Sequence, residues 1–434
     1  MAISAPNSST SVSTQNTGQS YGAPLATVTT LFFMWGFLTC LNDILVPHLK
    51  SIFDLSYAGI MLIQFAFFGA YFIFSIPSAK VIDWIGYQRS MVVGLLTMGL
   101  GAFLFVPAAS APSYPLFLGA LIVLAAGITC LQVAANPYVT VLGKPETASS
   151  RLNLTQAFNS LGTFLAPFFG GLFILSAAPK AIQEIRAMAP GALQAYRLHE
   201  AATVKTPYIG LGIALVVLAV AIGSFHLPKI EHAQHKVGEK VNDSIWKHPN
   251  LIFGAIGIFV YVGAEVSIGS FLVNYFGQPE IGGLTEKVAA SFVAFYWGGA
   301  MVGRFIGSAL LQKMKTGGLL GVCAVCAAAL VAISMLTTGH VAMYSIILVG
   351  FFNSIMFPSI FTLGVAELGP LTGDGSGVMI MAIVGGALIP VLQGAIADRI
   401  GIHHAFFLPV ICYLYILFFA LSGSKPNSER YLKA

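Results

Sequence analysis

Two acidic residues lie deep inside segments of this chain that are otherwise almost wholly apolar. Asp43 falls within residues 31–49, and Glu265 falls within residues 251–276. Each segment is long enough to cross a lipid bilayer as a helix, which takes roughly 20 residues. A carboxylate in hydrocarbon costs at least about 2.5–3.5 kcal/mol and normally faces a bundle interior, a partner or water. Both positions therefore indicate an ion or substrate pathway, with Asp43 the first candidate for cation coupling and Glu265 the second.

Amide side chains occur at helical spacings in the same kind of segment. Gln132 and Asn136 are four residues apart and so share one face of a helix. Amides offer donors and acceptors together, which suits the vicinal hydroxyls of a sugar. The alternative is that they hold helices together through interhelical hydrogen bonds. The amides predicted to bind a sugar are Asn42, Gln64, Gln132, Asn136, Gln156, Asn159, Asn274, Asn353 and Gln393.

Two tryptophans, Trp35 and Trp297, complete the predicted sugar site, because aromatic faces pack against the C–H surfaces of sugars. The alternative for a lone aromatic side chain is contact with lipid or core. The sequence shows no nucleophile–base pair, phosphate loop or metal cluster, so we predict no catalytic residue, no enzyme activity and no cofactor. Asp43 is a metal ligand only if the coupling ion is Na⁺ rather than H⁺.

Prolines inside the apolar segments predict local breaks in helical hydrogen bonding. Proline lacks an N–H, so it leaves the carbonyl four residues earlier without its partner. Pro47 frees the carbonyl of Asp43, Pro137 that of Val133, and Pro358 that of Ser354. Each lies at or beside an embedded polar side chain. Free carbonyls at membrane depth are tolerated where they face protein or a water-filled cavity, so the pattern favours a cavity.

Composition sets the class of protein. Of the 434 residues, 57% are hydrophobic and 9% charged, and the mean hydropathy is +0.84. Soluble domains carry about 25% charged residues, so this is a membrane protein with several spans. Twelve segments of transmembrane length are predicted, at about 24–47, 57–79, 90–108, 114–141, 152–177, 206–227, 249–276, 288–311, 317–338, 341–366, 375–397 and 403–422.

One long polar stretch divides these twelve segments into two sets of six. We predict a disordered cytoplasmic tail at 1–23, a six-helix bundle at 24–227, a cytoplasmic linker at 228–248, a second six-helix bundle at 249–422 and a cytoplasmic tail at 423–434. Residues 1–23 contain no Lys or Arg, so a cleaved signal peptide is not expected.

The basic residues predict the orientation in the membrane. With both termini inside, fourteen of the 21 Lys and Arg residues, Arg304 among them, fall on the cytoplasmic side. This distribution follows the positive-inside rule and predicts a multi-pass membrane protein with both termini in the cytoplasm. The basic residues are scattered, so no nucleic-acid partner is expected.

The two halves of the chain echo each other. Gln132 stands five residues before Pro137, and Asn353 stands five before Pro358. A glycine follows each proline after six residues. Parallel repeats of this kind build transporters from two related halves, with the site near the midplane between them. The alternative is chance similarity between apolar sequences.

Four segments carry a resemblance to a known family: 42–47 (NDILVP), 131–143 (LQVAANPYVTVLG), 151–162 (RLNLTQAFNSLG) and 261–276 (YVGAEVSIGSFLVNYF). Together they resemble the fucose–galactose–glucose:proton symporter family of the major facilitator superfamily, and within it the bacterial carriers of glucose and galactose. The resemblance covers residues 28–420. It implies the major-facilitator fold, an all-α membrane protein of about twelve transmembrane helices in two pseudo-symmetric six-helix bundles, which works by alternating access.

The chain also departs from that family's pattern. In the fucose/proton symporters the Asp matching Asp43 and a Glu in the fourth span both matter for sugar and proton. Here the second position is Gln132, which does not titrate, whereas Glu265 stands where the fucose carrier has an amide. Some relatives that carry glucose are sodium-coupled. The resemblance therefore leaves H⁺ and Na⁺ open as the coupling ion.

The sequence as a whole predicts cation-coupled import of a neutral hexose, with glucose or galactose as the first choice. The alternative is a proton-driven multidrug or sugar exporter of the same fold, which we expect to have a wide apolar pocket rather than one rich in amides. An embedded enzyme or a non-transporting sensor is the remaining class. The expected partners are the sugar and the lipid bilayer, and we expect a monomer.

Overall fold

The computed structural model describes residues 21–53, 57–110, 113–173, 184, 187–203, 205–230 and 243–426. Within its helices, the side chains at 39, 41–53, 57–61, 168–173, 197 and 200–203 are not described. Several predictions therefore lie outside the described residues: most of the tail at 1–23, the middle of the linker at 228–248, the end of the tail at 423–434, and the side chains of Asn42 and Asp43.

The regular elements of the described residues are helices, as expected for an all-α protein. The first half contains α1 (Gly22–Phe53), α2 (Tyr57–Ser110), α3 (Tyr114–Val141), α4 (Ala148–Phe173), α5 (Pro190–Thr203) and α6 (Lys205–Ser224). The second half contains α7 (Pro249–Gly277), α8 (Glu286–Leu310), α9 (Thr316–Leu336), α10 (Gly339–Asn353), α11 (Met356–Gly364), α12 (Thr372–Met381), α13 (Gly385–Ile400), α14 (Ile402–Ala405) and α15 (Phe407–Phe418). Short 3₁₀ turns at Pro145–Thr147, Ile245–Lys247, Gly369–Leu371 and Ala382–Val384, and a π turn at Phe419–Gly423, connect or end them.

The helices account for the predicted membrane spans. Nine helical runs among the described residues are long and apolar enough to cross a membrane. The run Leu62–Ser110 holds two predicted spans, which separate at Gly86, where φ is 80°. Helices α1 and α4 carry two further spans; α4 is 26 residues long, but its amides make it less apolar.

Glycines bring the same pair of spans together in each half. A Cβ on Gly36 in α1 would lie 2.1 Å from the carbonyl oxygen of Asn159 in α4. In the second half, a Cβ on Gly385 in α13 would lie 2.0 Å from the carbonyl oxygen of Phe259 in α7. Small residues allow such close approach of membrane helices. The first and fifth spans, and the seventh and eleventh, are therefore packed backbone to backbone, as a repeat predicts.

The fourth and tenth spans, which carry the echoed proline motif, differ in continuity. Helix α3 runs through Pro137 without interruption, and residues 127–140 within it are all buried. The tenth span is broken instead, because α10 ends at Asn353 and α11 begins at Met356, two residues before Pro358. The break places the backbone of Asn353 and Ser354 inside the second half.

Polar contacts between the halves gather at one end of the molecule. Lys80 Nζ lies 2.7 Å from Asp374 Oδ1, and Ser149 Oγ lies 2.6 Å from Thr362 Oγ1. We call the end that carries these two pairs the closed end. Further contacts there join Ser150 to Ser308 and Thr316 to Ser149. The closed end holds the two halves together through hydrogen bonds and one ion pair rather than through apolar packing alone.

Candidate functional site

Glu265 is held by a tyrosine of its own helix. Tyr261 precedes it by four residues in α7 and so lies on the same face. The Tyr261 hydroxyl lies 2.8 Å from Glu265 Oε1, to which it donates, and 3.1 Å from the carbonyl oxygen of Asn353. Tyr261 is 1% exposed. An embedded carboxylate is thus tied to the broken tenth span through one buried hydroxyl.

Two further tyrosines complete this cluster. The Tyr296 hydroxyl donates to the backbone carbonyl of Glu265 at 3.4 Å and accepts from Nδ2 of Asn353 at 2.8 Å. Tyr413 lies beside Asn353 and is fully buried. We call Tyr261, Tyr296 and Tyr413 the tyrosine cluster. Within this cluster the Tyr261 hydroxyl bonds to the Glu265 carboxylate, the Tyr296 hydroxyl bonds to the Glu265 backbone carbonyl, and Tyr413 lies beside Asn353.

Arg304 lies close enough to the cluster for its charge to act on Glu265 and Tyr261. Its Nε donates to the carbonyl oxygen of Ser354 at 3.3 Å, and its Nη1 donates to Ser160 Oγ in the first half. The location of Arg304 on the cytoplasmic side of the membrane stays a prediction. The residue lies within α8, half-buried, because its guanidinium fills the contact between the halves.

Three of the predicted first-half amides come together around α3. Gln132 Nε2 donates to the Tyr71 hydroxyl at 2.6 Å, and Gln156 Nε2 donates to Asn136 Oδ1 at 3.3 Å. Nδ2 of Asn136 is buried without a hydrogen-bond partner. A buried donor of this kind is costly unless a ligand or water pairs with it. These residues therefore form a candidate ligand surface with hydrogen-bonding capacity to spare.

Asn159 and Trp35 lie where α4 meets α1. Asn159 Nδ2 donates to the carbonyl oxygen of Phe32 at 2.9 Å, which joins the two helices. Trp35 is 7% exposed, and its ring meets that of Phe32 edge-on, with 5.3 Å between centroids. Asn159 thus makes a hydrogen bond between α4 and α1, which is the alternative to sugar binding given for the amides in the sequence analysis.

The remaining predicted residues are dispersed. Oδ1 of Asn353 and both polar side-chain atoms of Gln393 are buried without a hydrogen-bond partner. Gln393 belongs to α13, and its side chain is fully buried. Asn274, Gln64 and Trp297 are exposed, and the Trp297 ring covers Gly269. The described contacts therefore form two groups. In the second half, Tyr261 connects Glu265 with Asn353. In the first half, the contacts involve Gln132, Asn136 and Gln156, and no described hydrogen bond joins these amides to Glu265 or Asn353.

Several residues of the site were not among the predicted ones. Tyr261 had a signal in its spacing of four from Glu265. Arg304 had a weaker one, as a basic residue two turns inside an apolar span. Ser376 had none, although its hydroxyl donates to the carbonyl oxygen of Val133 at 2.8 Å across the halves. Among the described residues, no group of three or more His, Cys, Asp and Glu could hold a metal ion.

Comparisons with known proteins agree with this architecture. A family model described as Major Facilitator Superfamily matches residues 27–383. The chain is 53% identical over 425 residues to a protein named "Glucose/galactose transporter" from Brucella abortus biovar 1 (strain 9-941), covering 98% of this chain and 100% of that protein. It is 36% identical over 414 residues to the "L-fucose-proton symporter" of Escherichia coli (strain K12), covering 94% of each.

A solved structure supports the same grouping. The crystal structure of FucP, a major facilitator superfamily transporter in the outward conformation, matches with a TM-score of 0.87 at 34% identity, over 94% of this chain and 100% of that one. The predicted fold and the prediction of a transporter rather than an enzyme are thereby confirmed. With a family model covering most of its length and relatives matched from end to end, the chain belongs to the major facilitator superfamily.

Proposed function

We propose that the chain imports a neutral hexose, glucose or galactose, together with a cation by alternating access. The observation that carries this proposal is the spare hydrogen-bonding capacity of buried amides in both halves, at Asn136, Asn353 and Gln393. Sugar hydroxyls both donate and accept, so they match such groups. The names of the Brucella and Escherichia relatives point to the same ligand class. A multidrug exporter would need a wide apolar pocket, which these amides do not favour.

We propose H⁺ as the coupling ion. The Escherichia relative is named a proton symporter, and Glu265 is a protonatable group embedded among the tyrosine cluster. Asp43 remains the other candidate carboxylate, as the sole acid of the first span. Coupling by Na⁺, with Asp43 as a ligand, is the alternative outcome of the experiment below.

We propose that the closed end faces the cytoplasm, so that the described conformation opens outward. The positive-inside distribution places Lys80 and Lys144 at the cytoplasmic side, and both lie at or next to the closed end. The FucP structure that matches this chain is itself described as outward. This orientation puts both termini in the cytoplasm of a bacterium, with the chain as a monomer in the inner membrane.

Uptake into proteoliposomes tests the proposal. Purified protein is given labelled glucose, galactose, L-fucose or mannitol with an inward H⁺ gradient, an inward Na⁺ gradient or neither. We expect glucose or galactose to accumulate under the H⁺ gradient alone and to exchange by counterflow without any gradient. Accumulation driven by Na⁺ at zero pH gradient would overturn the choice of ion. Absence of hexose counterflow by folded protein would overturn the substrate class.

A further inference from the structure

Arg151, the fourth residue of α4, is bonded to the end of α3. Its guanidinium donates from Nε to the carbonyl oxygen of Val139 at 3.3 Å and from Nη2 to that of Thr140 at 2.9 Å. Nη1 donates to the carbonyl oxygen of Lys144, in the turn between the helices, at 2.8 Å. The last carbonyls of a helix lack partners within it, so they need donors from elsewhere. We call these three bonds the arginine clamp.

The backbone between α3 and α4 leaves room for this guanidinium. Gly143 has a φ of 105°, which residues with a side chain rarely adopt, and a Cβ there would lie 3.4 Å from Arg151 Nη1. Thr147 Oγ1 accepts a further bond from Nη1 at 2.5 Å. A guanidinium presents several donors in a fixed planar fork, whereas a lysine ammonium does not. The contact therefore requires an arginine rather than any cation.

The residues directly before Arg151 hold the second half. Ser149 Oγ lies 2.6 Å from Thr362 Oγ1, and Ser150 Oγ donates to the carbonyl oxygen of Ser308 at 2.7 Å. Both serines are buried, at 6% and 4% exposure. The first turn of α4 thus bonds to the second half through its serines and to the end of α3 through its arginine. A displacement of the end of α3 therefore acts directly on contacts of the closed end.

Helix α3 also carries amides that we propose as sugar ligands. Gln132 lies two turns before Val139, and Asn136 lies one turn before Thr140, within a helix that continues to Val141. Coupling between distant sites is carried by rigid elements and hydrogen-bond networks. The connection from these amides to the closed end consists of one uninterrupted helix and the arginine clamp.

The tenth span ends differently from the fourth. Gly375 stands where Arg151 does in the first half, six residues after the start of the 3₁₀ turn that follows the span. The end of α11 is bonded instead to α7, since Nδ2 of Asn250 donates to the carbonyl oxygens of Gly364 and Ala366, each at 3.1 Å. The link from a proline-containing span to the helix that follows it is therefore specific to the first half.

We propose that Arg151 is a positioning residue that couples sugar occupancy at α3 to the contacts of the closed end. This inference rests on the proposed hexose transport. With the clamp formed, sugar bound at the amides of α3 shifts the end of α3 and the first turn of α4 together, which weakens the serine contacts with the second half. Without the clamp, sugar binds but the closed end does not respond. Arg151 is not itself a sugar ligand, because its guanidinium is bonded to the end of α3.

Spin labels measure the response of the closed end to sugar. Trp84 and Lys313 are exposed residues on opposite halves, close in sequence to Lys80 and Thr316 of the closed end. The substitutions W84C and K313C therefore report the separation of the halves by double electron–electron resonance. The full-length protein is used in nanodiscs at constant pH, with and without saturating glucose, after alanine replacement of the native cysteines Cys40, Cys130, Cys323, Cys326 and Cys412. Calorimetry on the same samples gives the glucose affinity.

Glucose should raise the ratio of open to closed molecules at least about fivefold in the parent protein, the lower end of typical coupling between sites. In R151M the glucose affinity should stay within about threefold of the parent value, whereas the ratio should change by less than about twofold. R151K keeps the charge but not the planar fork, so it should lose most of the response as well. A parent-like response in either variant would overturn the inference, so the test stands even if R151M fails to fold.

Q88A is the matched control. Gln88 Nε2 donates to the carbonyl oxygens of Ile222 and Phe225 at 2.8 and 2.6 Å, so it caps the end of α6 much as Arg151 caps that of α3. Q88A should lower the apparent Tm but keep the parent response to glucose. An equal loss of response in Q88A and R151M would reduce Arg151 to a stabilising cap and refute its role in coupling.

The outcomes separate this inference from the proposed function. Absence of glucose and galactose binding to the folded parent protein would overturn the proposed function, and the inference with it. Glucose binding to the parent protein without any change at the closed end would overturn only the inference. Glucose binding to R151M with the affinity of the parent protein, combined with an unresponsive closed end, would support both.

Discussion

The hydroxyl of Ser376 in α12 donates to the carbonyl oxygen of Val133 in α3 at 2.8 Å. This carbonyl is the one that Pro137 deprives of its helical partner. In the second half, the carbonyl freed by the echoed proline belongs to Ser354 and accepts from Arg304. The freed carbonyl of Val133 therefore accepts a hydrogen bond from the opposite half. The freed carbonyl of Ser354 accepts one from Arg304, which also contacts the opposite half.

These two bonds satisfy carbonyls that the embedded prolines leave without a helical partner. A carbonyl at membrane depth requires a donor from protein or from water in a cavity. In the described state both donors come from protein, namely the Ser376 hydroxyl at Val133 and the Arg304 guanidinium at Ser354.

Asp43→Asn tests the first carboxylate of the proposed cation pathway. An amide does not take up a proton, so we expect gradient-driven hexose accumulation to fall to the level of protein-free liposomes. Counterflow should survive, because exchange needs no net movement of the cation. Glu280→Gln, in an exposed turn after α7, is the matched control and should accumulate hexose normally. Normal energised uptake by Asp43→Asn would remove Asp43 from the coupling mechanism.

Gln132→Ala tests the first-half amides as sugar ligands. Loss of a buried hydrogen-bonding group costs about 1–3 kcal/mol, so sugar affinity should fall by roughly 5- to 150-fold. Isothermal titration calorimetry on the purified protein measures the change. Tyr71→Phe removes only the hydroxyl that accepts from Gln132 and should have a smaller effect. Equal affinity in Gln132→Ala and the parent protein would place Gln132 outside the site.

Tyr261→Phe tests the cohesion of the tyrosine cluster. The change removes a hydroxyl that lies within hydrogen-bond distance of Glu265 Oε1 and of the Asn353 carbonyl, and leaves both acceptors buried. We expect a loss of about 1–3 kcal/mol in stability and a lower apparent Tm in detergent. Tyr344→Phe is the control, since Tyr344 is 56% exposed. A similar Tm for the two variants would show that the Tyr261 hydroxyl contributes nothing to stability.

Gly36→Ala tests the close contact between α1 and α4. The added methyl group would lie 2.1 Å from the Asn159 carbonyl oxygen, so the helices must separate. Overpacking of this kind costs about 1–3 kcal/mol or more, and the apparent Tm should fall. Gly119→Ala, where no atom lies within 4 Å, should leave stability unchanged or slightly raised. The pair differs only in its neighbours, so equal Tm values would contradict the contact.

The fold was largely predictable from hydropathy. Apolar runs of membrane length predict spans because each span must satisfy its own backbone within the bilayer. The sequence also predicted that Pro137 and Pro358 each remove a helical hydrogen bond, but only the structure showed that the helix breaks near Pro358 and continues through Pro137. The surroundings of Arg304 were not predictable, because its position two turns inside an apolar span does not show which residues it contacts, and its partner Ser160 is far away in sequence.

The candidate site was likewise predictable in part from the sequence. The sequence by itself determined which polar groups enter the membrane, including Glu265, Gln132 and Asn353, because the energetic cost of burying them is local. Only the tertiary structure decided their partners: Asn159 joins two helices, Asn153 bonds to the Arg304 carbonyl, and Gln132 bonds to Tyr71. The physical reason is that a hydrogen bond across helices depends on rotation and distance between elements, which covalent spacing leaves free.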